Sequence, residues 1–262
     1  MFDIVLLIKI IVSVFAVITL SLIAEKVSPR VAGILSGYPL GAAITLFFYG
    51  LEISPEFASK SVVYTLIGLI ATQSFVYFYF KCSLYFKRYV IFFSSIVSFA
   101  GYFFVSWLLH LINSNMILSL IITIASIFFF IYLFKEIRNV KIENKIKLTP
   151  KVLFIRAVLS ASIILIITGM AGLIGLKWAG LLSAFPITLF PLILIVHFTY
   201  DAKHVHTIIK NFPIGLGSII TYSVTLSTAY PAIGIYLGTV LSFITATIYL
   251  LIYGLASNKK MV

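Results

Sequence analysis

The stretch RVAGILSGYPL, residues 30–40, is written a second time as KWAGLLSAFPI, residues 177–187. The two copies lie 147 positions apart, and the same offset aligns LLIKIIVS at Leu6 with LFIRAVLS at Leu153 without a gap. Five of the eight residues in AGILSGYP are identical in AGLLSAFP. Chance likeness between apolar segments is the alternative, but a shared basic residue and a shared Ser-x-x-Pro are not generic features of such segments. We therefore interpret the chain as an internal duplication.

The composition indicates a membrane protein. Of the 262 residues 62% are hydrophobic and 10% are charged, whereas soluble domains carry about 25% charged residues. The net charge of +12 could suggest nucleic acid, but the charges flank apolar segments, and so we expect the lipid bilayer and no nucleic acid as a partner. The first segment has no basic region before its apolar run, which favours a retained helix over a cleaved signal peptide.

A helix needs roughly 20 apolar residues to cross a bilayer. Continuous apolar runs, without the alternation of barrel strands, predict an all-α polytopic membrane protein with nine transmembrane helices. The predicted spans are residues 4–24, 31–51, 58–80, 88–112, 115–134, 155–175, 178–199, 205–227 and 231–255. We expect a turn at residues 227–233, because Pro231 suits the first turn of the last helix.

The basic residues predict an orientation. With nine spans, 16 Lys and Arg residues fall on one side of the membrane and only Lys9, Lys60 and Lys177 on the other. Because Lys and Arg favour the cytoplasmic side, we expect a multi-pass protein of the cell inner membrane with its amino terminus outside and its carboxyl terminus in the cytoplasm.

The duplication predicts how the single membrane domain, 1–262, is organised. Residues 1–112 form repeat 1, residues 113–150 a linker helix with a basic cytoplasmic loop, and residues 151–262 form repeat 2. The offset also pairs Gly68 with Gly215. Each repeat holds four helices, and the linker helix between them reverses the second. The sequence thus predicts two inverted four-helix repeats, an architecture common among secondary transporters.

The paired prolines point to a central site. Pro39 lies nine residues after Arg30 and Pro186 nine after Lys177, which places each roughly 13 Å from its own membrane face. Since those faces are opposite, both prolines are expected near the midplane. Paired broken helices mark transport sites, although a packing kink is the alternative.

The residues around the prolines are the candidate site. We expect the following to line or shape a substrate path: Ser36, Gly37, Tyr38, Pro39, Gln73, Ser183, Phe185 and Pro186. They are neutral, and no carboxylate lies at mid-depth, which favours a neutral or anionic solute over a cation. These groups could instead serve hydrogen bonds between helices. Lys9 and Arg156 could each draw an anion toward one mouth, or simply anchor their helices at the interface.

Metal binding and catalysis are not predicted. His197, Asp201 and His204 would share a helix face, with His206 nearby, but they lie in a cytoplasmic turn where polar residues are required anyway. The sequence shows no phosphate loop, Ser-His-Asp set or convincing carboxylate pair. We therefore predict no metal, no cofactor and no enzyme.

Each half resembles the small four-helix GlpM-like membrane proteins. The resemblance depends on LLIK at Leu6 and on AGLLSAFP at Ala179 followed by a span ending VHF, and it covers about residues 1–112 and 151–258. The first half departs from the pattern with SGYP and lacks the histidine found at His197. The resemblance implies a four-helix fold for each half, and it leaves a homo-oligomer open.

These observations predict a permease for a small neutral or anionic solute that works by alternating access. Two other classes stay open. A lipid flippase or scramblase would carry a polar groove open to the bilayer. A scaffold that assists a partner without transport would be packed solid between the second and seventh spans.

Overall fold

The computed structural model describes residues 7–12, 14–15, 18–19, 28–86, 88–140 and 149–258, without the side chains of residues 152, 156, 257 and 258. This part of the chain is all-helical, with no strand. The helices that we number are α1 Pro29–Ser36, α2 Leu40–Glu52, α3 Pro55–Tyr85, α4 Val90–His110, α5 Met116–Leu133, α6 Pro150–Ser183, α7 Leu189–Thr199, α8 Ala202–Ile233 and α9 Ile235–Asn258.

Local capping explains where four of the helices begin. A side-chain oxygen just before each helix accepts a hydrogen bond from a backbone N–H of the first turn, which satisfies a group that the helix itself leaves free. The capping residues are Ser28 for α1, Ser54 for α3, Asn115 for α5 and Asp201 for α8.

Seven helical stretches are long and apolar enough to cross a membrane within the described ranges. They are Pro29–Glu52, Pro55–Tyr85, Val90–His110, Met116–Leu133, Leu153–Ser183, Ala202–Ile233 and Ile235–Ala256. The polytopic helical class is therefore confirmed. About half of the predicted span 4–24 lies outside the described residues. The predicted span 178–199 is divided between the end of α6 and the shorter helix α7. The count of nine stays a prediction.

Two glycines with positive φ make abrupt reversals. Gly175 (φ 78°, ψ 171°) interrupts α6, and Gly234 (φ 80°, ψ 174°) separates α8 from α9. Only glycine adopts this conformation without steric cost. We call residues 150–174 α6a and residues 176–183 α6b. The hydroxyl of Ser160 in α6a donates to the carbonyl of Ile187 (3.1 Å), so the chain folds back after Gly175.

The predicted turn at Pro231 is wrong. Pro231 lies inside the last turn of α8, and the reversal occurs three residues later at Gly234. A proline deprives the carbonyl four residues earlier of its donor. Here that carbonyl, on Ser227, accepts a hydrogen bond from the hydroxyl of Ser59 in α3 (2.6 Å) instead. The neighbouring helix thereby lets α8 continue past its proline.

The helices divide into an inner and an outer set. The spans that contain α1 with α2, and α3, are mostly buried, whereas α4, α5 and α9 expose most of their length. The exposed side chains of the outer set are large and apolar, for example Phe104, Phe128 and Leu251. Such a surface suits lipid and not water, so the outer helices separate the central ones from the bilayer.

Two close crossings join the halves of the chain. A Cβ built on Gly33 of α1 would lie 2.5 Å from the carbonyl oxygen of Ile208 in α8, and one on Gly37 would overlap the backbone of Gly215. Because the residue numbers rise together along both helices, α1 and α8 run parallel here. Small residues permit this approach of one backbone to another.

The second crossing repeats the first with every position shifted by 147. A Cβ built on Gly180 of α6b would overlap the carbonyl oxygen of Ser61 in α3, and one on Gly68 would lie 2.8 Å from Cβ of Ala184. Numbers again rise together, so α6b and α3 also run parallel. Each crossing therefore pairs a helix from one half of the chain with a helix from the other half.

Enlarging a crossing glycine should destabilise the protein. We expect Gly215→Ala to lower the free energy of unfolding by about 1–3 kcal/mol, the usual cost of overpacking, because the new methyl group would meet the carbonyl of Ile34. Thermal unfolding of the purified protein in detergent measures this. The control is Gly254→Ala, where nothing lies within 4 Å of the new group. Equal midpoint temperatures for the two variants would contradict the close crossing.

Candidate functional site

Both copies of the duplicated motif interrupt a helical path. The chain leaves α1 at Ser36 and re-enters a helix at Leu40, and it leaves α6b at Ser183 and re-enters at Leu189. We call residues 37–39 the first break and residues 184–188 the second break. At each break one helix ends and another begins inside the protein, which leaves backbone groups without helical partners.

The two breaks have the same local hydrogen bonds. Each bond of the first has a counterpart 147 positions later in the second. The N–H to O=C pairs are Gly37–Ile34 and Ala184–Leu181, Tyr38–Leu35 and Phe185–Leu182, Leu40–Tyr38 and Ile187–Phe185, and Ala43–Pro39 and Phe190–Pro186. Their N···O distances run from 2.6 to 3.2 Å. The two motifs thus share a pattern of local hydrogen bonds as well as similar sequences.

Each break is capped by a hydroxyl from the other half of the chain. The carbonyl of Gly37 accepts from Ser218 of α8 (2.7 Å), and the carbonyl of Ala184 accepts from Thr72 of α3 (2.5 Å). All four residues are buried. A buried carbonyl without a donor would cost about 1–3 kcal/mol, so these two hydroxyls stabilise the broken conformations reciprocally.

A small cavity of about 20 Å³ lies between the breaks. That volume holds about one water molecule. The lining residues are Ser36, Tyr38, Gly41, Ala42, Thr72, Ser183, Ala184, Phe185, Pro186, Ile187, Thr188, Phe212 and Ile219. None of these is charged, so the cavity is a neutral site with several hydroxyl groups.

The hydroxyls of the cavity differ in how far they are already used. Ser36 donates to the carbonyl of Ala32 (2.7 Å), and Ser183 bonds to both the carbonyl of Gly180 and the hydroxyl of Thr65 (2.7 Å each). The side chain of Thr188 is 7% exposed and has no hydrogen-bond partner among the described residues. Thr188 is therefore a cavity hydroxyl that is not engaged elsewhere in the described part of the structure.

The structure brings most of the expected site residues together. Those that line the cavity are Ser36, Tyr38, Ser183, Phe185 and Pro186. Gly37 and Pro39 belong to the first break but do not line the cavity. Gly37 instead packs against Gly215, so its part is structural.

Gln73 lies away from this group. Its Nε2 donates to the hydroxyl of Ser126 in α5 (2.9 Å) and to the carbonyl of Leu69 (3.2 Å). The adjacent Thr72 faces the cavity in its place. On a helix neighbouring residues point about 100° apart, and the sequence alone did not decide which of the two turns inward.

Tyr38 and Phe185, which occupy equivalent positions, have different surroundings. The hydroxyl of Tyr38 bonds to Thr247 of α9 (2.9 Å), and its ring stacks on Phe243. Phe185 packs against aromatic rings of α3 and α4. The rings that contact it are those of Phe75, Phe99 and Tyr102, with centroids 5.0 to 6.0 Å from that of Phe185. One side of the cavity is thus polar at its rim and the other is apolar.

Of the two charged candidates, Lys9 does not line the cavity. Lys9 forms an ion pair with Glu52 at the end of α2 (2.7 Å), and its side chain is 6% exposed. The lysine is thus buried and neutralised, and its role in attracting an anion stays a prediction. The side chain of Arg156 lies outside the described part of the structure.

The histidines of the turn between α7 and α8 make separate contacts. His197 bonds to Tyr79 (2.8 Å), and His204 bonds to Asp201 (2.7 Å). Burial alone would raise the pKa of Asp201, but hydrogen bonds from His204 outweigh it and hold the pKa below its usual range. Within the described ranges, no three His, Cys, Asp or Glu side chains could hold a metal ion together.

Sequence reasoning did not assign Thr72, Thr188 and Ser218 to the site. Thr72 and Ser218 differ by 146 positions rather than 147, so a strict alignment of the repeats hides their shared role. The aligned pair Gly68 and Gly215 was the available signal, because it marks the helices that cross the breaks.

Comparison of the chain with protein-family models, curated proteins and solved structures gave no match. The resemblance to GlpM-like proteins therefore stays a prediction, and function has to be argued from the geometry of the two breaks.

Removing either capping hydroxyl should destabilise the protein. We expect Ser218→Ala and Thr72→Val each to lower the free energy of unfolding by about 1–3 kcal/mol, because a buried carbonyl loses its donor. Chemical denaturation in detergent gives the values. Thr228→Val is the control, since this exposed hydroxyl bonds only within its own helix. If the free energy of unfolding falls no further in the capping variants than in the control, the two carbonyls do not depend on these hydroxyls as described.

Proposed function

We propose that the protein is an integral-membrane permease for a small neutral or anionic solute, built as two inverted four-helix repeats within nine spans. The observation that carries the proposal is the cavity between two helix breaks, each capped by the opposite half of the chain. Discontinuous helices that meet at one site are the usual way in which secondary transporters bind substrate.

The direction of the crossing helices supports the inversion. The path through α1 and α2 is followed directly by α3, so these two spans run in opposite directions across a membrane. By the 147-residue offset, α8 is the counterpart of α3. If both repeats had the same orientation, α8 would run against α1. It runs parallel to α1 instead, as inverted repeats require.

The chemistry of the cavity supports the class of solute. Hydroxyls line it, and among its described lining residues there is no carboxylate that could exchange a proton for a cationic substrate. A charge buried at this depth without a partner would be costly. The first turn of α2, with Gly41 and Ala42, also lines the cavity. The positive end of a helix favours anions.

The size of the cavity indicates a closed state. About 20 Å³ admits one water molecule and no organic solute. Binding therefore requires the breaks to separate. The breaks connect short helices, and rocking of one repeat against the other would open the cavity first to one side and then to the other.

The proposal includes an orientation that labelling can test. We place the start of α3 on the outer face of the cell inner membrane and the start of α8 on its cytoplasmic face, because basic residues favour the cytoplasmic side. Lys60 and Lys203 are exposed at these two helix ends. With Cys82 replaced by Ala, Lys60→Cys should react with an impermeant thiol reagent in right-side-out vesicles, and Lys203→Cys only in inverted ones. The reverse result would invert the proposed topology.

Access to the cavity gives a test that needs no known substrate. In the same background, we expect Thr188→Cys to react slowly with a small impermeant thiol reagent from both sides of the membrane, because each side opens in turn. The control is Ser98→Cys, a buried position on α4 that does not line the cavity. If Thr188→Cys is as unreactive as the control from both sides of the membrane, the result would contradict transport and favour a scaffold. Reaction only with a lipid-soluble reagent would favour a lipid handler.

A further inference from the structure

A second, larger cavity of about 560 Å³ lies at the opposite end of the central helices from Lys60. We call it the basic vestibule. Its walls come from three segments: the end of α3, the end of α5 with the residues that follow it, and the start of α8. The lining residues are Phe80, Lys81, Leu84, Leu133, Glu136, Ile137, Arg138, Val140, Lys203 and His206. Its volume is that of an ordinary small-ligand pocket.

One wall of the vestibule is a segment fastened to α8. Residues 134–140, which we call the strap, carry Glu136 and Arg138 into the vestibule. Three side chains within about one turn of α8 bond to the backbone of the strap and to one of its side-chain amides. The bonds are from Val140 N to Thr207 Oγ1 (2.9 Å), from Asn211 Nδ2 to Asn139 Oδ1 (3.0 Å), and from Lys210 Nζ to the carbonyls of Lys135 (3.2 Å) and Ile137.

The inner wall is also fixed. His206, 8% exposed, bonds through Nε2 to Ser83 of α3 (2.7 Å), and its ring meets the edge of Phe80 with centroids 4.8 Å apart. These contacts tie α8 to α3 at the base of the vestibule. The cavity is therefore bounded by ordered elements and not by a single loop.

Cationic side chains dominate the vestibule. Among the described lining residues, Lys81, Arg138 and Lys203 are basic and Glu136 is the one acidic residue. Glu136 lies 3.9 Å from Lys135, a lysine outside the cavity. Arg138 and Lys203 have no acidic partner among the described residues. In the described part of the vestibule, three cations thus face one carboxylate.

Membrane orientation explains why basic residues lie at this end, but not why three segments direct them into one cavity. Cations that approach from several directions match a tetrahedral group with several charged oxygens, and Arg and Lys are the residues that bind phosphate most often. We propose that the basic vestibule binds a phosphate-bearing ligand, either a free phosphate compound or the headgroup of an anionic lipid.

The vestibule lies where a bound anion could enter the proposed transport path. Binding there does not itself depend on transport. Lys81 follows Thr72 by nine residues along α3, which is about 13 Å. A bound anion would therefore lie at the mouth of the path toward the central cavity. If the protein is a permease, the vestibule would concentrate an anionic solute on this side.

The test is equilibrium binding to the full chain in nanodiscs of phosphatidylcholine, with pyrophosphate as the probe at constant ionic strength. We expect saturable binding, and an affinity about tenfold or more weaker for each of Lys81→Gln, Arg138→Gln and Lys203→Gln, as the loss of a charged hydrogen bond implies. Lys203→Arg should retain binding. Lys60→Gln is the matched control, because it removes the same charge from the other end of α3.

A second arm distinguishes the two sources of phosphate. In nanodiscs that contain phosphatidylglycerol, two results together would identify a lipid headgroup as the ligand. This lipid would weaken pyrophosphate binding, and it would co-purify with the wild-type protein more than with a variant that combines Lys81→Gln, Arg138→Gln and Lys203→Gln. Unchanged pyrophosphate binding would identify a free phosphate compound. Failure of pyrophosphate to bind, with no enrichment of lipid, would overturn the proposal. So would a loss in Lys60→Gln as large as that in the vestibule variants. Neither result would decide whether Thr188→Cys is labelled, so the two proposals fail separately.

Discussion

A backbone carbonyl that loses its helical partner inside a membrane must find another donor, since lipid offers none. This constraint governs the centre of the molecule. The duplicated motif breaks two helices at depth, and the carbonyls of Gly37 and Ala184 are then satisfied by hydroxyls from α8 and α3. Each break therefore depends on the other half of the chain for the donor that caps its carbonyl. The two halves must dock for either to be stable, and the cavity exists only where they meet.

Close packing of small residues makes this exchange of hydroxyls geometrically feasible. Ser218 reaches Gly37 because Gly37 and Gly215 allow two backbones to touch, and Thr72 reaches Ala184 through the equivalent approach at Gly68. Larger residues would hold the helices farther apart, and the hydroxyls would no longer reach. The glycine pattern therefore serves hydrogen bonding as much as packing.

The sequence was sufficient for features that depend on local chemistry or on repetition. The membrane class follows from composition, and the breaks follow from Pro39 and Pro186 in a repeated motif. Features that depend on a distant partner could not be read in this way. Pro231 looked like a helix start because nothing local shows that Ser59 would cap the carbonyl of Ser227. The choice of Thr72 over Gln73 at the cavity depends on the rotation of α3 against α6b, which only packing decides.

The strap could not be predicted either. Its attachment depends on Thr207, Lys210 and Asn211, which lie about 70 residues farther along the chain and show no motif. The sequence predicted a basic connection after residue 134, but not that its first residues form the wall of a cavity. Side-chain bonds to the backbone of a remote segment leave almost no trace in composition or periodicity.

The capping of Gly37 by Ser218 has a consequence for biosynthesis. The donor is 181 residues after the acceptor, and at about 5–20 residues per second the ribosome needs roughly 10–40 s to make that stretch. Throughout this interval the first break lacks its capping hydroxyl. Until α8 is made, water or another donor has to satisfy the carbonyl of Gly37, or the break carries the cost of an unpaired carbonyl.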